Sequence, residues 1–205
     1  MLAILIILRL LVGSVAVPVF IKKLALKPSI TKRLTFQFAS CAVISAIICV
    51  IDRDMKFAPV IVMLGLINSF GAYCSWKSTA VSVSKTAVFG FDSVVAIILG
   101  ATVLYEYQKV TPLFILAVLF AGVALYLFTK GNKISKKQVR YIVGFSLIWG
   151  VAAFMMKIYP LPVHQFLLNW YIGSAIGAAL FMLVLKEKEN LKFKDYLGTA
   201  ILSFL

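Results

Sequence analysis

The side chains that could do chemistry in this chain are the few ionisable groups inside its long apolar runs. Asp92 lies about six residues into the apolar run 86–105. A charge at membrane depth costs about 2.5–3.5 kcal/mol on insertion scales, so it normally faces a cavity or a partner. Asp92 is therefore a candidate for binding a proton or a cation. The structural alternative is an ion pair with Lys85 or a hydrogen bond to Ser93 or Asn68.

Four other ionisable residues have simpler interpretations. Glu106, near Lys109, is typical of an interfacial cap or ion pair. Arg9 could counter a buried carboxylate, bind an anionic substrate or extend to the nearby interface. Lys157 ends an apolar run and is expected to contact lipid headgroups. His164 follows a proline-rich break, where a lone histidine is more often structural than a proton relay.

Amide, hydroxyl and indole groups offer a second kind of site. Gln37 and Asn169 occupy similar places in two apolar runs, and polar or aromatic residues elsewhere could complete a central pocket. For Trp76, Trp170 and Tyr171 an interfacial aromatic belt is an equal alternative. The candidate substrate-binding residues are Asp92, Gln37, Asn68, Trp149, Asn169 and Ser14.

Composition argues for a membrane protein and against several other classes. The chain is 62% hydrophobic and 14% charged, whereas globular domains carry about 25% charged residues. The net charge of +14 comes from basic residues in short links, so no continuous basic face for nucleic acid is predicted. We find no metal-ligand spacing, phosphate loop or catalytic motif. The sequence predicts no enzyme activity and no cofactor.

Eight apolar segments of helical length position these groups. Most are close to the roughly 20 residues that cross a ~30 Å hydrocarbon layer, which predicts an all-α, polytopic membrane bundle. Gly173-x-x-x-Gly177 would let a neighbouring helix pack closely. The predicted helices are 2–21, 34–51, 57–76, 86–105, 111–129, 140–158, 163–185 and a partial one from 195.

The chain also repeats itself. Residues 56–68 (KFAPVIVMLGLIN) and 192–203 (KFKDYLGTAILS) share a layout, and their Leu-Gly pairs lie 133 positions apart. Five helices per copy would insert the second copy upside down relative to the first. The expected units are a first repeat at 1–129, a link at 130–139 and a partial second repeat at 140–205. The second copy stops inside its third helix, so we expect a truncated carrier.

Basic residues predict the orientation. Sixteen lie in alternate links on one side, four lie on the other, and Arg9 lies inside the first helix. The positive-inside rule places the richer side in the cytoplasm and the N-terminus outside.

Residues 72–128 carry a wider pattern. Glu106 closes a long apolar helix, Gly122-Val-Ala-Leu125 ends the next one, and Ser146-Leu-Ile-Trp-Gly150 opens the following copy. In this order the elements resemble the EamA repeat of the drug/metabolite transporter superfamily. Tyr105 departs from the family's usual Gly, and Asp92-Ser93 stands where many members carry Pro. Complete members have ten spans and usually keep both termini in the cytoplasm, opposite to the charge-based orientation.

The resemblance implies a multi-pass secondary transporter in a bacterial inner or plasma membrane. It would move a small organic solute by alternating access, with Asp92 as a candidate for proton coupling. Lipid or lipid-linked-sugar translocation is one alternative, and a non-transporting scaffold or inactive fragment is another. The expected partners are a small-molecule substrate and the lipid bilayer, without nucleic acid. Homo-oligomerisation stays open.

Overall fold

The apolar runs form helices in the computed structural model, which describes residues 16–26, 29–106, 111–131, 134–186, 191 and 193–204. These residues contain no strand. The all-α prediction is confirmed for them. The helices are α1 (Val17–Ala25), α2 (Ile30–Ile51), α3 (Pro59–Val81), α4 (Val83–Phe89), α5 (Asp92–Val103), α6 (Pro112–Gly131), α7 (Lys136–Ile158), α8 (Val163–Leu185) and α9 (Phe193–Phe204).

Five stretches of the described chain are long and apolar enough to cross a membrane. They are Ile30–Ile51, Pro59–Val81, Val83–Val103, Lys136–Ile158 and Val163–Leu185. Each has 21 to 23 residues, and an unbroken helix of that length is about 32–35 Å long at a rise of 1.5 Å per residue. The chain therefore has the character of a multi-pass membrane protein.

Helices α3 and α8 form the centre of the bundle. The α3 helix packs against α8 and α7, α8 also packs against α2, and α5 packs against α7. Gly173 and Gly177 of α8 lie directly on α3, where an added Cβ would collide with the backbone of Val62 or Leu66. Gly65 of α3 makes the reciprocal approach to α8. Close packing through the Gly-x-x-x-Gly spacing is thus confirmed.

The prediction of one continuous fourth helix over 86–105 is wrong. Two helices, α4 and α5, are separated at Gly90-Phe91. The Phe91 backbone N–H donates to the Ser146 hydroxyl of α7 at 3.1 Å. A side chain from another helix therefore satisfies a backbone group that the break releases, as an apolar surrounding requires.

Three of the predicted helices are too short at one end. The α2 helix begins at Ile30, and α3 continues to Val81. The α7 helix begins at Lys136 because the Ser135 hydroxyl accepts a hydrogen bond from the Gln138 N–H at 3.2 Å. This is an N-cap, which stabilises a helix start.

One buried ion pair joins the ends of α2 and α9. The Arg33 guanidinium lies 3.2 Å from an Asp195 carboxylate oxygen. The Arg33 side chain is 1% exposed and that of Asp195 is 17% exposed. The sequence predicts Arg33 to be one of the sixteen basic link residues, but its side chain belongs to the packed interior.

Candidate functional site

A partly open cavity of about 370 Å³ lies between α1, α2, α3, α7 and α8. Its size falls within the range of small-molecule sites, roughly 300–1,000 Å³. None of its described lining residues is charged. The wall consists of Ile21, Gln37, Phe38, Asn68, Ala72, Ser75, Trp76, Trp149, Ala152, Ala153, Met156, Phe166, Leu167, Trp170 and Tyr171. We call this space the central cavity.

Aromatic rings form much of its wall. All three tryptophans of the chain line the central cavity, together with Tyr171. Trp76 is 3% exposed and Trp170 is 8% exposed. Phe166 stacks on Trp170 with ring centres 6.0 Å apart. The pocket position that the sequence offered for Trp76, Trp170 and Tyr171 is therefore observed, and the interfacial aromatic belt stays a prediction.

A polar relay across three helices holds one of these rings. The Trp149 indole N–H donates to the Asn68 side-chain oxygen at 2.9 Å. The Asn68 NH₂ group donates to the Ser174 hydroxyl at 2.8 Å, and that hydroxyl donates to the Trp170 carbonyl. Both ends of the Asn68 amide are engaged, so its role at the cavity is to orient Trp149.

Gln37 presents a different environment. Its side-chain oxygen is buried and has no hydrogen-bond partner among the described residues. The side chain lines the central cavity. Because an unsatisfied buried polar atom costs about 1–3 kcal/mol, a ligand group that bonds this amide would bind favourably.

The other two uncharged candidates do not join this group. The Asn169 amide accepts from the Ala58 N–H and donates to the Lys56 carbonyl, both at 2.8 Å. It fastens the start of α8 to the segment before α3 and does not line the central cavity. Ser14 lies outside the described residues.

A second cavity of about 260 Å³ adjoins the first. The two cavities share Ile21, Ser75 and Trp149 as wall residues. Its lining includes Val17, Pro18, Ile21, Ser75, Thr79, Val83, Thr86, Ala87, Gly90, Asp92, Phe145 and Trp149. We call it the Asp92 cavity, because Asp92 carries the sole ionisable side chain among these residues.

Asp92 opens α5, immediately after the break at Gly90-Phe91. Its carboxylate makes no hydrogen bond or ion pair within the described part of the chain, so the expected alternatives with Lys85, Ser93 or Asn68 are not formed. A carboxylate in the first turn of a helix also interacts favourably with the helix dipole, by about 0.3–1 kcal/mol. The residue thus has one structural interaction and a free face towards a cavity.

The remaining ionisable candidates lie away from both cavities. Glu106 pairs with Lys157, so that lysine does more than contact headgroups. The His164 ring nitrogen lies 3.7 Å from an Asp52 carboxylate oxygen at one end of the bundle. Arg9 and Lys109 fall outside the described residues.

Several wall residues were not predicted from the sequence. Ser75 borders both cavities, and Phe38 and Phe166 line the central one. A periodic signal was available, because Asn68, Ala72 and Ser75 follow the i, i+4, i+7 spacing of one helix face. That face of α3 is the one that carries the site.

The described residues contain no group of three or more potential metal ligands. No family model, curated protein or solved structure matches the chain.

Proposed function

We propose that this protein is a secondary carrier that moves a small organic solute across a membrane. The observation that carries the proposal is the central cavity, a ligand-sized space inside a bundle of membrane-length helices. Carriers of this kind bind substrate near the bilayer midplane, between structural repeats. Asn68 and Trp149 lie near the middle of α3 and α7, which supports a site near the midplane.

The helix contacts support two related copies, as the proposed inverted repeat requires. In the proposed repeat, α1, α2 and α3 correspond to α7, α8 and α9. Under this correspondence the α3–α8 contact is equivalent to the α9–α2 contact, and the α3–α7 contact is equivalent to the α9–α1 contact. All four contacts occur. The α2–α8 contact maps onto itself. The α1–α3 and α2–α3 contacts have no counterparts of similar extent among the described residues.

The resemblance to the EamA family fits this arrangement. It implies two five-helix copies around a shared substrate site. Residues of α2 and α3 from one proposed copy and of α7 and α8 from the other line the central cavity. Alternating access would then be a rocking of one copy against the other about this cavity.

Asp92 is our candidate for coupling transport to protons. It has no partner among the described residues and lies on a cavity that adjoins the central one. Protonation and deprotonation at this position would change the charge of the wall. Such a change could drive a carrier between two states if they bind the proton with different affinities.

The test is solute flux in proteoliposomes that contain the full-length gene product. A panel of amines, amino acids, nucleosides and sugars is applied, with and without a pH gradient, and internal pH is followed with a trapped dye. We expect uptake or counterflow of at least one class. Asp92→Asn should abolish the coupled pH change.

Asp52→Asn is the matched control, because Asp52 lies on the surface segment after α2 and lines neither cavity. Its flux should equal that of the wild type. A folded protein that moves no member of the panel would favour the scaffold interpretation. Flux that keeps its pH dependence in Asp92→Asn would end the coupling proposal.

A further inference from the structure

We propose that the solute is an organic cation with an apolar or aromatic body, and that Asp92 is its counter-ion. The body would occupy the central cavity and the charged nitrogen would enter the Asp92 cavity. This inference rests on the proposed function and names the substrate class for its site.

The two spaces lie side by side. Ser75 and Trp149 form walls of both cavities, so a ligand in the central cavity lies next to the Asp92 cavity. Their volumes are about 370 and 260 Å³. The larger space has the apolar wall suited to a hydrocarbon or ring, and the smaller one holds the carboxylate.

The charges of the residues that line the two cavities also favour a cation. None of the described residues that line either cavity is basic, and Asp92 is the one acidic residue among them. Coulomb energies grow as the dielectric constant falls, so a carboxylate facing a mostly apolar cavity attracts a cation more strongly than one in water. The same field repels a carboxylate or phosphate on a ligand. The described part of the lining therefore disfavours anions.

Uncharged groups on the cavity walls can also contact an ammonium ion. The hydroxyls of Ser75 and Thr79 line the Asp92 cavity and make no hydrogen bond within the described residues. Both can accept N–H bonds from an ammonium group. The indole ring of Trp149 lies on the wall between the cavities, and tryptophan is the best aromatic partner for a cation.

The competing explanation for Asp92 is the helix-dipole interaction alone. That role requires a carboxylate at the start of α5 and no ligand. It predicts a loss of stability on substitution, without any change in the preference of the protein among ligands of different charge. A ligand series that varies only in charge separates the two explanations.

The chain supplies its own probe, because all three tryptophans line the central cavity. Quenching or a spectral shift of tryptophan fluorescence therefore reports on this space. The titrants are 2-phenylethylamine, 2-phenylethanol and 3-phenylpropionate, which share a phenyl ring and differ in charge. The protein is studied in detergent micelles, as wild type, Asp92→Asn and the control Asp52→Asn.

We expect the wild type to bind the amine more tightly than the alcohol, and the alcohol more tightly than the carboxylate. Asp92→Asn should weaken amine binding by about tenfold or more, the loss typical of a charged hydrogen-bond partner. The affinity for the alcohol should stay the same, which also shows that the variant is folded. Asp52→Asn should match the wild type.

Equal affinity of the wild type for amine and carboxylate would overturn the inference, even if Asp92→Asn does not fold. The absence of a fluorescence response to millimolar amine would do the same, as would unchanged amine binding in a folded Asp92→Asn. Uptake of a neutral or anionic solute without amine binding would refute the cation site and leave the carrier standing. Amine binding without any flux would refute the carrier and leave the cation site standing.

Discussion

The indole N–H of Trp149 donates a hydrogen bond to the side-chain oxygen of Asn68 at 2.9 Å, between α7 and α3. This bond ties one helix from each proposed repeat together at the wall of the central cavity. It also fixes the plane of a ring that borders both cavities. A single amide therefore links the packing of the bundle to the shape of its candidate site.

Asn68→Ala should destabilise the protein by about 1–2 kcal/mol. The change removes two interhelical hydrogen bonds, each worth about 0.6 kcal/mol on average in a membrane and at most about 1.7. Unfolding in mixed micelles measures the stability, and Trp149 emission reports the freed indole. Ser69→Ala is the control, since its hydroxyl bonds only Leu66 of its own helix. Equal losses in both variants would contradict the interhelical role of Asn68.

Gly173→Ala should be poorly tolerated. Its added Cβ would overlap the Val62 carbonyl of α3, and the helices would have to separate. Overpacking of this kind costs about 1–3 kcal/mol or more. Gly122→Ala is the control, because a Cβ there meets no atom within 4 Å. The monodisperse fraction in size-exclusion chromatography should fall for the first variant alone, and comparable behaviour of the two would show that the α3–α8 contact is not tight.

The Arg33–Asp195 pair should have a larger coupling energy than the Glu106–Lys157 pair. Arg33 is 1% exposed, whereas Lys157 is 53% exposed and available to water or headgroups. A double-mutant cycle with Arg33→Met and Asp195→Asn should give about 1.5–3 kcal/mol, as for hydrogen bonds to charged groups. The equivalent cycle for the exposed pair should give about 0–1 kcal/mol and weaken with salt. A reversed order would mean that burial does not strengthen the first pair.

A topology experiment can use two exposed positions at opposite ends of the bundle. Ser135 precedes α7, and Met55 precedes α3, which runs antiparallel to α7. The charge distribution predicts that a cysteine replacing Ser135 faces the cytoplasm and resists impermeant thiol reagents in intact cells. A cysteine replacing Met55 should react. The native cysteines Cys41, Cys49 and Cys74 are buried and give a low background. The opposite labelling pattern would favour the family's usual orientation.

The sequence predicted the helices well where apolar composition alone decides the outcome. The predicted 163–185 coincides with α8, and the predicted 140–158 ends where α7 ends. The α7 start was missed although Ser135 and Gln138 have the Ser-x-x-Gln spacing of a capping box. The α2 start was missed for another reason, since the charge of Arg33 near that start is buried opposite Asp195 of α9. Such a tertiary partner has no local signal.

The residues of the candidate site were likewise predicted only in part. Gln37, Asn68 and Trp149 stand out as polar or amphipathic residues in apolar runs, and the structure brings them to one cavity. Asn169 stands out equally, yet it bonds a connecting segment instead. Its type and depth resemble those of Gln37, so residue type alone could not separate them. What separates them is the backbone that each meets after folding.

The two helices on either side of the break at Gly90-Phe91 pack against different parts of the bundle. The α4 part contacts α1 and α3, whereas the α5 part contacts α7, where Gly150 admits Asp92 and Val95 at close range. Half of this span is therefore fastened to the first proposed repeat and half to the second. Relative movement of α3 and α7 would bend the chain at this joint, next to Asp92. Asp92, the only carboxylate among the described residues of either cavity wall, would change its surroundings with such a movement, because it is attached to the joint itself.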